Sequence, residues 1–100
     1  MPSRDEVLLE WWENLQMEVG HVVDEIDPEG LVAIGAPPGE YANEIDRLTS
    51  LIVRDDVSEQ SVLAVWERAY GPECYLFSRP DMLTSLTQQL LKVRDRQPRP

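Results

Sequence analysis

The chain has 100 residues, 42% of them apolar, and 19 acids against 9 bases give it a net charge of −10. That length suits one domain whose core needs no disulfide or metal, no 18-residue apolar run offers a membrane span, and a lone Cys74 leaves no internal disulfide or thiolate cluster. The start MPSRDEVLLEWWE is acidic and amphipathic, without the basic opening and continuous apolar stretch of a secretory signal, so a cytoplasmic protein is expected.

The charge is unevenly spread. Residues 1–57 hold 14 acids and 3 bases, residues 58–78 hold 3 acids and 1 base, and residues 79–100 hold 2 acids and 5 bases. The first half repels phosphate backbones and anionic lipid, which argues against direct nucleic-acid or membrane binding and for a basic protein partner. The same charge also serves solubility.

Four helices are expected in chain order. Ser3 and Glu6 have capping-box spacing, and Leu8, Trp11, Leu15, Val19, Val22 and Ile26 then recur at steps of 3, 4, 4, 3 and 4, predicting a helix over 4–26. Trp12 and Val23 widen its stripe. Gly20 inside it costs about 1 kcal/mol relative to Ala and suggests a close helix contact. Asp27-Pro28 ends the helix, because the residue before a proline is pushed out of the α region. The loop DPEGLVAIGAPPGEY, 27–41, follows and closes on Pro37-Pro38-Gly39. Tyr41, Ile45, Leu48 and Ile52 mark a second helix over 40–54, broken at Asp55-Asp56.

Ser58 suits the N-cap of a third helix, lined by Val62, Leu63, Trp66, Ala69 and Tyr70 and ended by Gly71-Pro72. CYLF, 74–77, reads as an apolar connector over the core, with Cys74 buried near Tyr75 and Phe77. Pro80 opens a fourth helix with Leu83, Leu86, Leu90 and Val93 inward, and Lys92, Arg94 and Arg96 sit where the helix dipole favours cations. LVAI is the only β-like run and has no pairing partner. The expected fold is all-α, a small four-helix bundle forming one domain over 1–96, with a long ordered loop between helices 1 and 2 and a disordered tail at 97–100.

Nothing in the chain points to catalysis or to a cofactor. The only histidine, His21, falls on the polar side of the first helix beside Glu18 and Glu25, as a solvated ion pair would. Glu25, Asp27, Glu29 and Gly30 match the first, third, fifth and sixth places of a calcium loop, but Ala36 stands where the bidentate Glu belongs and Pro28 interrupts it. Glu18-x-x-His21 has diiron spacing but occurs once, and GAPPGE lacks the Lys and Ser or Thr of a P-loop. No catalytic residue and no metal ligand is therefore assigned, and the reading is of a non-enzyme.

Asp27, Pro28, Gly30, Gly39, Glu40, Tyr41, Glu44 and Ile45 form a pattern, Asp-Pro…Glu-Tyr-x-x-Glu-Ile, that resembles a family of small bacterial helical proteins classed as a domain of unknown function. The resemblance covers about 20 residues in detail and implies a helical fold without a settled activity. The stretch LVAIGAPP differs from the shorter family loop. In size and charge the chain is also similar to small acidic immunity proteins that neutralise bacterial toxins, an analogy of type without a shared motif.

Two placements of the loop follow. Leu31, Val32 and Ile34 can fold back as a plug over the bundle end, with Tyr41 beneath and Asp27 capping local amides. Alternatively Leu31 and Ile34 present an apolar strip inside an acid rim of Asp27, Glu29, Glu40 and Glu44, with Tyr41 beside it, to a basic partner. The most concrete expectation is an acidic protein-binding domain, an immunity- or antitoxin-like inhibitor masking a basic toxin or nuclease. The alternatives are a structural or housekeeping module that homodimerises through Trp11 or Trp12 and, third, a carboxylate-based enzyme.

Overall fold

Ser3 opens α1, Arg4–Ile26, by accepting a hydrogen bond from the Glu6 backbone N–H at 3.2 Å. The computed structural model describes all 100 residues and continues as α2 Ala42–Val53, α3 Glu59–Tyr70, α4 Tyr75–Ser78 and α5 Pro80–Arg96, without a strand. The all-α bundle is as the periodicities predict, with one addition: the connector CYLF contains a single helical turn, α4. Cys74 and Leu76 are buried there while Tyr75 and Phe77 point outward, so half of the connector covers the core and half faces solvent.

The long α1 packs on α2 and α5, α3 packs on the same two helices, and α4 lies against α3 and α5. One cluster of 17 buried apolar residues serves all five helices, so no part of the chain has a separate core. Trp66 is the largest side chain fully inside it, and its ring sits 6.2 Å from that of Tyr41 and 6.3 Å from that of Tyr70, centroid to centroid. Tilted aromatic pairs at this spacing add to plain burial. No helix is long and apolar enough to cross a membrane.

Helix ends follow local chemistry. Ser58 and Ser61 form a reciprocal capping box on α3, and the Gly71 N–H closes its far end by donating to Glu67 O. α2 ends through Asp55, at φ 53°, with Asp55 N–H on Ile52 O and Asp56 N–H on Leu51 O. That is the Schellman pattern with an aspartate in the left-handed position where glycine is usual. Glu18 pairs with Arg96 at 2.9 Å, not with His21, which tethers α1 to the end of α5.

The tail 97–100, expected to be disordered, lies partly against α1. The Trp11 indole N–H donates to Gln97 O at 2.9 Å, and the Arg99 guanidinium covers the Trp11 ring at 5.3 Å. This arrangement uses the polar edge and one face of Trp11 within the chain.

Gly20 does not answer to a close helix contact. A Cβ built there would meet Ile45 Cδ1 at 3.7 Å, an ordinary van der Waals distance. Replacing Gly20 by Ala should therefore stabilise the fold by about 0.5–1 kcal/mol through backbone entropy and helix propensity. Denaturant unfolding measures this, and a loss of stability would show that the helices cannot accept the methyl group.

Candidate functional site

The loop between α1 and α2 is organised by one carboxylate. Pro28 denies Asp27 the right-handed helical conformation, and Asp27 turns left-handed at φ 51°, its N–H still donating to Val23 O at 2.7 Å. Its Oδ1 accepts from Val32 N–H at 3.0 Å and from Tyr41 Oη–H at 2.7 Å, and its Oδ2 accepts from Ala33 N–H at 2.9 Å. Tyr41 Oη in turn accepts from Glu29 N–H at 3.0 Å. Burial alone would raise the Asp27 pKa, but these donors outweigh it and hold the carboxyl below its ordinary value. Burial and the adjacent Asp27 push Tyr41 well above the ordinary phenol range.

The β-like run LVAI is in fact a single helical turn. Ile34 N–H bonds Gly30 O, Gly35 N–H bonds Val32 O and Ala36 N–H bonds Leu31 O. Asp27 caps the front of this turn, and Gly35, at φ 77°, supplies the left-handed residue that closes it. The turn has two faces. Leu31 packs against the core, while Ile34 is 78% exposed and Val32 also faces solvent. The plug and the presented strip are thus both present, divided between neighbouring residues.

The other rim positions divide likewise. Glu40 is exposed, Glu29 half-buried, and Tyr41 and Glu44 buried. Asp27 and Tyr41 are occupied in holding the loop, so they position the surface instead of offering free groups. Glu44, 7% exposed, leaves Oε2 buried without a hydrogen-bond partner in the chain, and Glu29 Oε1 is in the same state. The indole N–H of Trp66 is buried and unpartnered too.

These groups belong to one neighbourhood. Burial raises the Glu29 pKa; the Tyr75 N–H and the Trp66 indole N–H lie close enough to favour the charge, without closing to full hydrogen bonds, and the Glu44 charge raises the pKa further. Tyr70 is pushed up to about 12 by burial and by Glu44, Glu29 and Glu40 around it. The three ion pairs of the chain, Arg94–Asp55, Arg94–Asp95 and Arg96–Glu18, lie elsewhere, so these carboxylates have no internal counter-ion. The C-terminal end of α1 adds Asp24 and Glu25 and has no basic residue in its last turn, the opposite of what the helix dipole favours. The N-terminal turn of α2 offsets part of this at Glu44.

Sequence reasoning did not find the second wall of the site. A cleft of about 360 Å³ separates the loop from the start of α5 and is lined by Glu29, Ile34, Tyr75, Arg79 and Met82 among others. Tyr75 is 51% and Phe77 62% exposed, and Arg79 lies over the Tyr75 ring at 5.3 Å. The available signal was the alternation inside CYLF, where small or aliphatic Cys74 and Leu76 alternate with two aromatics. No group of three or more His, Cys, Asp or Glu side chains is placed to hold a metal ion. The arrangement can receive a cationic group beside the carboxylates and an apolar surface beside the aromatics.

Two substitutions separate these roles. Tyr41→Phe leaves the Glu29 N–H without its acceptor and removes one donor from Asp27, so chemical denaturation should show a loss of about 1–3 kcal/mol. Glu44→Gln removes a buried, unpartnered charge and should raise the melting temperature, by the equivalent of about 1 kcal/mol. A fall in melting temperature would mean that Glu44 already has a stabilising partner. No family model, curated protein or solved structure matches the chain.

Proposed function

We propose that the chain is an acidic protein-binding domain that receives a cationic side chain of a basic protein at the loop end of the bundle. The observation that carries this reading is the pair Glu29 and Glu44, each with a buried oxygen unpartnered within the chain and neither with a counter-ion. Leaving a buried acceptor unsatisfied costs about 1–3 kcal/mol, which a guanidinium or ammonium from outside would recover. Ile34 and Tyr75 supply exposed apolar contacts beside it, and Glu40 extends the acid rim. The 14 acids of residues 1–57 would speed encounter with a basic surface.

In its most specific form the domain is an immunity- or antitoxin-like inhibitor in the cytoplasm of a bacterium, covering the basic active-site surface of a toxin such as a nuclease. A second reading, a homodimeric module, draws on the exposed Leu9 and Met17 on the outer face of α1. It does not draw on Trp11, which the tail covers. Sedimentation decides it: a clean monomer at tens of micromolar removes the dimer.

The test of the main reading is capture of basic proteins from host lysate at low salt, compared between the wild type and Glu29→Gln/Glu44→Gln. The double variant should fold at least as stably yet lose about tenfold or more in affinity for the captured basic protein. Equal capture by both proteins, or none by either, sinks the reading. The pH sign follows from Glu29. Its folded pKa is raised, so the carboxyl is protonated below that pKa and charged above it, and a bound cation favours the charged form. Binding should therefore weaken as pH falls from neutral into the raised carboxylate range, measured by titration calorimetry, and Glu29→Gln should flatten the dependence.

A further inference from the structure

The bases of this acidic chain are not scattered. Residues 1–78 contain four, Arg4, Arg47, Arg54 and Arg68, and the last three line one open cleft of about 620 Å³ between α1, α2 and α3. The spacing explains how they come together. Arg47, Ser50, Leu51 and Arg54 occupy places i, i+3, i+4 and i+7 of α2, and Ser61, Ala64, Val65 and Arg68 repeat that spacing on α3. Each helix thus turns one stripe into the cleft, and Trp12 of α1 completes the lining.

Three features mark this cleft as a site. None of the three arginines takes part in an ion pair, although the chain has 19 acids to offer them. The two serines are already engaged: Ser50 Oγ donates to Asp46 O, and Ser61 belongs to the capping box. Small residues at 50, 61 and 64 keep the floor low, and Leu51 and Val65 make it apolar. Asp56 is the single acid of the lining.

We propose that this cleft binds a small molecule that joins a planar aromatic ring to a dianionic head, of the nucleoside monophosphate type. Arg47, Arg54 and Arg68 hold the head by charge-assisted hydrogen bonds, and the ring lies on Trp12 over the apolar floor. The volume lies within the usual range for small-molecule sites. The net charge of −10 selects against longer polyanions, because a polynucleotide would extend beyond the arginines into the field of the surrounding acids. None of these residues belongs to the loop-end site, so the two proposals stand or fall separately.

The test is a titration of the whole protein with adenosine monophosphate at low salt, followed by the Trp12 indole and arginine side-chain resonances. A saturable shift is expected, with inorganic phosphate and adenosine each binding at least about tenfold more weakly. Arg54→Gln and Arg68→Gln should each weaken binding about tenfold, since each removes a charge-assisted contact. Trp12→Phe should keep most of the affinity and Trp12→Leu should lose several-fold. If Trp12→Leu fails to fold, the arginine variants still decide the matter. No saturable shift up to about 10 mM nucleotide overturns the proposal. So does inorganic phosphate binding as tightly as the nucleotide, or a short single-stranded oligonucleotide binding more tightly than it.

Discussion

The carboxylate of Asp27 is the constraint on which the loop end of this molecule depends. It sits where α1 stops and accepts hydrogen bonds from the amides of Val32 and Ala33 and from the hydroxyl of Tyr41 at the start of α2. Hydrogen bonds to an ionised acceptor are stronger than neutral ones, and three converge here. The result is a loop with a defined shape between two helices. Tyr41 transmits that shape inward, because its ring lies beside Trp66 in the core. A disturbance at Asp27 therefore reaches the exposed Ile34 on one side and the central aromatic packing on the other.

What this knot holds in place is electrostatically unfavourable by itself. Asp24 and Glu25 crowd the negative end of α1, and Glu29 and Glu44 are pressed toward the core with unpartnered oxygens. A fold under selection for stability alone would pair them with a lysine or arginine, yet even Arg79, which lines the cleft beside Glu29, closes no ion pair with either. Strain concentrated beside a cleft and exposed aromatics is the kind of arrangement that binding relieves. The proposed recognition of a cationic side chain gives that strain a physical purpose.

The charge separation works at two scales. Along the sequence, acids dominate the first half and bases the last helix, and that asymmetry is partly consumed by bridges such as Glu18–Arg96. Across the fold, acids gather at the loop end while three unpaired arginines gather in the groove of α1, α2 and α3. The low dielectric of a cleft strengthens either field locally, whatever the net charge of the molecule. A strongly acidic protein can thus carry a confined basic site.

The sequence by itself determined the helices. The 3,4 spacing from Leu8 to Ile26, the Ser3 and Ser58 caps, Asp27-Pro28, Gly71-Pro72 and Pro80 are local signals, because helix formation and termination are decided by residues within a turn or two of one another. The start at Arg4 and the stop at Ile26 were legible for that reason. Leu31 and Ile34 were legible as a pair but not as opposites, since the face each takes depends on the turn that Asp27 caps from four and more residues away. Tyr75, Phe77 and the α4 turn escaped because an apolar run says nothing of which members find room inside. Glu44 looked like one rim acid among several until packing buried it. The arginine groove joins residues 47, 54 and 68 to Trp12, and only the packing of α1 and α3 on α2 brings those stripes together. Tertiary structure decided which acids are strained and which bases are unpaired, because both follow from distances between elements that no local pattern encodes.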